Sequence, residues 1–155
     1  MTLTQKETML LKDLMKKEQL CIDKYGKGAQ EAHDNQLKDL FTQCGNEEKQ
    51  HLDTLTQISN GTVPPMNNQG GGNQKQPQAF QPTYSTQDNS PEKQKDKYLC
   101  TDTLETEKHA SSVYNTSIFE FKDANIRDTL NHIQKEEQEH GEKIYCYMEK
   151  NGMYS

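Results

Sequence analysis

The chain alternates polar residues with widely spaced apolar residues, and the spacing is that of amphipathic helices. Over residues 3–32 the apolar positions recur every four or seven residues, as they do along one face of a helix. These positions are Leu3, Leu10, Leu14, Cys21, Tyr25 and Ala32. A second stripe follows, made of Leu37, Phe41, Cys44, Leu52, Leu55 and Ile58. The pattern predicts two helices in the first 59 residues.

The same pattern returns near the end of the chain. One stripe contains Cys100, Leu104, Ala110, Tyr114, Ile118 and Phe121, and the next contains Ile126, Leu130, Ile133, Ile144 and Met148. A short polar break separates the stripes of each pair, and it holds Asp34 in the first pair and Asp123 in the second. A carboxylate there can accept the free N–H groups at a helix start, so both are predicted N-caps. Each pair therefore reads as a helical hairpin.

The two hairpins are copies of one another. A shift of 89 positions aligns residues 4–59 with residues 93–148 without a gap, and twelve positions are then identical. The identical pairs include Glu18 with Glu107 and Tyr25 with Tyr114. This internal repeat predicts an all-α four-helix bundle, built from two repeated hairpins with a long crossover between them, an arrangement that resembles the ferritin-like folds.

Residues 60–91 connect the hairpins and contain all five prolines, a run of three glycines and many Asn and Gln. Such a composition buries too little apolar surface to offset the entropy lost on ordering. We predict one domain over 1–155, with hairpin one at 3–59, a flexible linker at 60–91 and hairpin two at 92–150. This linker lets the hairpins pair within one chain or exchange between two, so a monomer and a homodimer both stay open.

Composition and charge limit the kinds of partner that the protein can bind. The chain is 30% hydrophobic with a net charge of −6, which fits a narrow core and broad charged helix faces. Because phosphate binding needs a basic patch, we expect no nucleic-acid partner. No apolar run approaches the roughly 18 residues of a membrane span, and the first residues lack the apolar segment of a signal peptide. We expect synthesis in the cytoplasm, without a membrane partner.

Charged residues interrupt the apolar stripes at one level of the bundle. Glu18 lies four residues after Leu14, while Glu48 lies four after Cys44 and His51 three further on. The second hairpin repeats this arrangement. Unpaired carboxylates in a core are unfavourable enough to require a compensating charge. The six candidate metal ligands are Glu18, Glu48, His51, Glu107, Glu137 and His140.

Hairpin geometry brings the glutamates of each hairpin together. Positions 18 and 48 are equidistant from residue 33, and positions 107 and 137 are equidistant from residue 122. At about 1.5 Å per residue, each glutamate lies about 22 Å from its turn, so the two in each hairpin are level. A Glu and a His three residues apart project from one helix face and can bind the same ion.

This ligand set resembles that of the ferritin-like di-iron and di-manganese proteins. Four carboxylates balance two divalent ions, and mixed oxygen and imidazole ligands suit transition metals. We expect two divalent transition-metal ions, with iron or manganese favoured and zinc an alternative. Two other interpretations stay open. The six residues could lie on polar helix surfaces, where Glu7, Glu31, Glu47 and Glu136 are expected, or a degenerate bundle could keep them without binding metal.

Tyr25 and Tyr114 lie two turns beyond Glu18 and Glu107 on the same stripes. Each could hydrogen-bond a metal ligand or carry an electron, or it could fill the core with its hydroxyl satisfied. The remaining histidines are expected at a turn or in solvent: His33, His109 and His132.

The chain also resembles the Coat F domain family of spore coat proteins, within the wider ferritin-like superfamily. The stretches that carry the resemblance are residues 3–7, 13–18, 24–25, 37–41, 47–51 and 151–154. The resemblance implies a helical bundle made in the mother cell during sporulation and assembled into the spore coat with other coat proteins. The superfamily implies a dinuclear centre in which Glu48 and Glu137 bridge the ions and Glu18 and Glu107 are terminal ligands.

Two functions stay open on this basis. The first is a di-metal oxidoreductase of the ferroxidase, peroxidase or catalase type. The second is a purely structural coat protein, in which metal is absent or only stabilises the bundle. In the second case the linker, the tyrosines and the cysteines would serve contacts between chains. The sequence assigns no catalytic residue and no substrate.

Overall fold

The computed structural model describes residues 2–65 and 78–154, which form four long helices. The helices are α1 (Gln5–Glu31), α2 (Asn35–Ser59), α3 (Pro91–Ile118) and α4 (Ala124–Lys150). Helix α1 packs on α2 and α3 packs on α4, and the two hairpins meet through α1 with α3 and α2 with α4. The predicted all-α four-helix bundle is confirmed. Membership of the ferritin-like superfamily and the division into one domain stay predictions.

Helix starts follow the predicted capping. The Asp34 side chain accepts the N–H of Gln36 at 3.1 Å, and the Asp123 side chain accepts that of Asn125 at 2.8 Å. Both predicted N-caps are confirmed. Carboxylates there stabilise the helix by pairing with its first free N–H groups and its dipole. The two tight turns therefore hold each hairpin in the register that makes equidistant residues level.

Glu7 corrects one expectation, since it does not lie on a plain helix surface. Its side chain is 4% exposed and forms a capping box with Thr4 at the start of α1. It also accepts the backbone N–H of Lys122 at 3.0 Å, which ties the start of α1 to the α3–α4 turn. The pattern Thr-x-x-Glu before an apolar run is the signature of this box and was present in the sequence.

The core consists of two apolar clusters, one towards each end of the bundle. One surrounds Phe41 and Tyr147, and the other surrounds Leu14 and Leu130. Helix α1 turns one face inward through positions 7, 11, 14, 18, 21, 25 and 28. The alternating spacing of four and three is that of a coiled-coil seam. Among the described residues, no helix combines the length and apolar character needed to cross a lipid bilayer.

Residues 78–90, which fall in the predicted flexible linker, lie against the end of the bundle. Phe80 and Tyr84 are 4% and 9% exposed, and the Phe80 ring meets the Tyr147 ring edge-on at 5.4 Å. The Asn151 side chain accepts the N–H groups of Thr83 and Tyr84 at 2.8 and 3.0 Å. Two aromatic side chains thus give this stretch the apolar burial that its composition does not suggest. Residues 66–77 of the predicted linker lie outside the described residues.

These contacts converge on a group of buried polar side chains, here called the end cluster. Its members are Asp34, Tyr84, Asp96, Tyr147 and Asn151. The fully buried Asp96 accepts the backbone N–H groups of His33 and Asp34 at 2.8 and 3.0 Å and the Tyr84 hydroxyl at 2.7 Å. The Tyr147 hydroxyl donates to Asp34 at 2.6 Å. The end cluster therefore fastens residues 78–90 to the first turn.

Candidate metal centre

The six predicted ligands meet between the two apolar clusters, where all four helices contribute. Glu18 comes from α1, Glu107 from α3, and a Glu-x-x-His segment from each of α2 and α4. We call these residues the central cluster: Glu18, Glu48, His51, Glu107, Glu137 and His140. None of them is more than 3% exposed. Their interpretation as surface residues is wrong, whereas metal binding by them stays a prediction.

The ligand atoms form two overlapping groups of four, each held within 4.8 Å. The first group is Glu18, Glu48, His51 and Glu137, and the second is Glu48, Glu107, Glu137 and His140. Each group contains one imidazole and three carboxylates. Glu48 and Glu137 belong to both groups. Such sharing is what two neighbouring ions with bridging carboxylates require.

Both histidine rings turn Nδ1 towards the centre. Nδ1 of His51 lies 3.0 Å from Glu137, 3.4 Å from Glu48 and 3.7 Å from Glu18, measured to carboxylate oxygens. His140 repeats this approach, with its closest carboxylate oxygen at 2.8 Å. The two rings are stacked with centroids 6.1 Å apart. Each Nδ1 therefore faces the three carboxylates of its own group.

Three buried carboxylate oxygens of the central cluster have no hydrogen-bond partner among the described residues. They are Oε2 of Glu18, Oε2 of Glu107 and Oε2 of Glu137. A buried oxygen without a donor is strongly unfavourable, and a divalent cation satisfies it. The donor set of carboxylate oxygens and imidazole nitrogens fits iron, manganese or zinc.

Tyr25 and Tyr114 hydrogen-bond to the glutamates that belong to one group only. The Tyr25 hydroxyl donates to Glu107 at 2.5 Å, and the Tyr114 hydroxyl donates to Glu18. Each tyrosine thus reaches the other hairpin. Burial and then the nearby carboxylate raise both phenol pKa values well above 10, which keeps them protonated as donors. Both rings also lie in the apolar clusters, so these hydrogen bonds fit the ligand-supporting and the core-filling interpretation alike.

Glu47 and Glu136, expected on plain helix surfaces, contact the outer nitrogens of the histidines instead. Oε1 of Glu136 lies 3.3 Å from Nε2 of His51, and Oε2 of Glu47 lies 2.8 Å from Nε2 of His140. Their side chains are only 20% and 24% exposed. A signal existed in the sequence, because both are among the repeat's identical positions and directly precede Glu48 and Glu137.

The carboxylates of the central cluster differ in the direction of their pKa shifts. Burial, with Glu18 and Glu107 nearby, raises the pKa of Glu48 from 4.5 to about 7. Burial and Glu107 also raise the pKa of Glu137 well above 4.5. For Glu18, burial is outweighed by hydrogen bonds from groups such as His51, and its pKa falls to about 2. The shared carboxylates thus hold protons that a bound cation would displace.

The histidines respond to the same surroundings. Burial by itself would lower their pKa values, but the carboxylates around them raise those of His51 and His140 well above 6.5. Protonated imidazoles then carry part of the positive charge that the buried acids need. A divalent ion in the same space replaces those protons, because it binds the neutral ring.

Comparison with known proteins places the second hairpin in a family. The family model of the Coat F domain matches residues 95–155, a stretch that contains Glu107, Glu137 and His140. No curated protein and no solved structure matches the chain significantly. The resemblance to the Coat F family is confirmed over residues 95–155, which match the Coat F domain.

Proposed function

We propose that this protein is a spore coat protein whose bundle binds two divalent transition-metal ions in the central cluster. The observation that carries the proposal is the pair of overlapping four-residue groups that share Glu48 and Glu137. The unpartnered carboxylate oxygens of the cluster support it. The Coat F domain supports the spore coat as the location and other coat proteins as partners.

The proposed ligand roles follow the two groups. Glu48 and Glu137 would bridge the ions, while Glu18 and Glu107 would be terminal ligands. Iron or manganese bound there would supply redox chemistry towards oxygen species or ferrous iron, and zinc would supply stability alone. The tyrosine hydroxyls hold the terminal carboxylates in place. The apolar clusters on either side keep water from the site.

A second function, a structural coat protein that the metal only stabilises, is favoured by the closure of the site. All members of the central cluster are buried. A groove of about 480 Å³ between α1 and α2 is lined by residues such as Phe41 and Lys49 and by none of the six ligands. Exposed Tyr98, Tyr145 and Tyr154 are available for contacts between chains. Binding of ions to the folded chain alone raises its stability.

Metal binding is tested by titrating the metal-free chain with Mn²⁺, Zn²⁺ or, without oxygen, Fe²⁺. We expect two ions per chain and a rise in melting temperature. Glu107→Gln should lose at least one ion, because its group is reduced to two carboxylates. The matched control is Glu105→Gln, two residues away on α3, where the side chain is 67% exposed; it should keep both ions.

A chain that takes up none of these ions and gains no thermal stability contradicts the proposal. The two functions separate on the loaded protein. Redox activity predicts consumption of hydrogen peroxide or faster oxidation of Fe²⁺, and Glu107→Gln should abolish it. A structural role predicts a higher melting temperature with neither reaction, and coat assembly that survives removal of the metal.

A further inference from the structure

Glu47 and Glu136 stand outside the predicted ligand set, yet each contacts a histidine that belongs to it. We propose that they are positioning residues, each fixing which nitrogen its histidine presents to a metal ion. The inference rests on the proposed metal function and deepens it. It concerns the Nε2 atom of each ring, which points away from the centre and contacts none of the six predicted ligands.

The chemistry of the contact sets the position of the proton. An ionised carboxylate can only accept a hydrogen bond, so the Nε2 atom that faces it must carry hydrogen. In a neutral imidazole, the other nitrogen then has a free lone pair. In both rings that other nitrogen is Nδ1, which points into the central cluster. A carboxylate on the outer nitrogen also makes the ring a stronger ligand.

The pairing is reciprocal between the hairpins. Glu47 on α2 serves His140 on α4, and Glu136 on α4 serves His51 on α2. Successive residues on a helix point about 100° apart, so a glutamate next to a shared ligand cannot enter the centre beside it. It lies instead where α2 faces α4. Each Glu-Glu-x-x-His segment thus supplies a positioning group, a shared carboxylate and an imidazole.

His132 supplies a useful contrast. Its Nε2 atom lies 3.0 Å from the same Glu136 carboxylate, but its side chain is 58% exposed. Water can replace that contact, so an exposed pair of this kind has little effect on structure. The rings of His51 and His140 are buried. For them, the carboxylate decides the state of the outer nitrogen.

The experiment uses the full chain loaded with Zn²⁺, which is diamagnetic, and ¹⁵N-labelled histidine. In the wild type, NMR should show metal on Nδ1 and a slowly exchanging proton on Nε2 for both buried rings. Glu47→Gln should disturb the Nε2 proton of His140 and leave His51 unchanged, although Glu47 and His51 share a helix. Glu136→Gln should do the reverse. Each substitution should weaken zinc binding roughly ten- to a hundredfold.

The controls separate positioning from a general effect on folding. Glu105→Gln and His132→Ala should keep both the zinc affinity and the two histidine spectra of the wild type. Melting of the metal-free variants checks that the bundle is intact. Unchanged zinc affinity and histidine spectra in both glutamine variants overturn the inference while leaving the metal site standing. A disturbance confined to the histidine on the same helix overturns it as well. A wild type that binds no zinc removes the proposed function, and the inference falls with it.

Discussion

The bundle contains two buried polar clusters, and they differ in how their carboxylates are satisfied. In the end cluster, both oxygens of Asp96 accept hydrogen bonds, from two backbone N–H groups and the Tyr84 hydroxyl. In the central cluster, three carboxylate oxygens have no partner among the described residues. The first arrangement is complete within the protein. The second leaves acceptors that a bound cation would satisfy.

The comparison sets acids that are satisfied within the protein beside acids that we propose to be metal ligands. Both clusters are buried and both bring helices from the two hairpins together. Burial therefore does not distinguish them. The distinguishing property is the supply of donors. N–H and O–H groups surround Asp96, whereas Glu48 and Glu137 lie among other carboxylates and share two imidazoles. Removing a carboxylate should accordingly have opposite effects in the two places.

The largest effect is expected from replacing both shared acids, Glu48→Gln together with Glu137→Gln. The metal-free variant should be more stable than the metal-free wild type, because two buried acids that repel their neighbours are gone. It should bind no ions. The wild type, at about a hundred times the dissociation constant, should gain about 2.7 kcal/mol for each ion. Urea unfolding with and without Zn²⁺ measures both changes.

The matched control replaces two exposed acids, Glu105→Gln together with Glu142→Gln. It removes the same charge from the helix surfaces and should leave ion binding intact. The prediction is contradicted if the metal-free Glu48→Gln, Glu137→Gln variant is less stable than the metal-free wild type. The two acids would then be satisfied without a cation.

A smaller effect is expected from Asp96→Asn in the end cluster. This substitution should lower the stability of the metal-free chain, whereas the double substitution in the central cluster should raise it. The amide NH₂ group would face donors that now share a carboxylate, so at least one buried donor loses its partner. We expect the free energy of unfolding to fall by about 1–3 kcal/mol. Metal content should stay at two ions per chain. Asp128→Asn, at an exposed position on α4, is the control, and equal stability of the two variants would contradict the structural role of Asp96.

The smallest effect, a pH trend, belongs to the central cluster alone. The pKa of Glu48 lies near 7 in the folded chain, above its ordinary value of 4.5. Between these values the folded chain holds a proton that the unfolded chain has released, so metal-free stability should fall as pH rises. The raised histidine pKa values extend that fall to higher pH. Bound ions reverse the trend, because binding releases these protons.

The measurement is the difference in melting temperature between loaded and metal-free protein, which should grow from about pH 5 to pH 8. Glu48→Gln in the metal-free form should flatten the trend, since it removes the carboxyl group that titrates between pH 4.5 and about 7. A metal-free chain whose stability rises with pH across this range would contradict the assigned proton on Glu48.

The sequence predicted the level at which the ligands meet, because that level follows from distances along the chain. The repeat and the two turns define which glutamates are equidistant, and the spacing within Glu-x-x-His puts both side chains on one face. No packing detail enters this argument. The inward face itself was predicted less well: α1 buries Leu11, while Leu10, assigned to the stripe, is only half-buried.

Contacts between the hairpins could not be predicted in the same way. That Tyr25 meets Glu107 depends on α1 lying beside α3, which distances along the chain do not define. The roles of Glu47 and Glu136 likewise depend on α2 facing α4. The docking of residues 78–90 depends on two aromatic side chains within a polar stretch. The average composition of the stretch does not reveal their effect.

One consequence concerns length rather than residue type. Inserting one residue between Glu48 and His51 would rotate the rest of α2 by about 100°, turning His51 out of the bundle. The residues between them, Lys49 and Gln50, are exposed and can be exchanged freely. Natural variation between Glu48 and His51 should therefore change the identity of the residues but not their number.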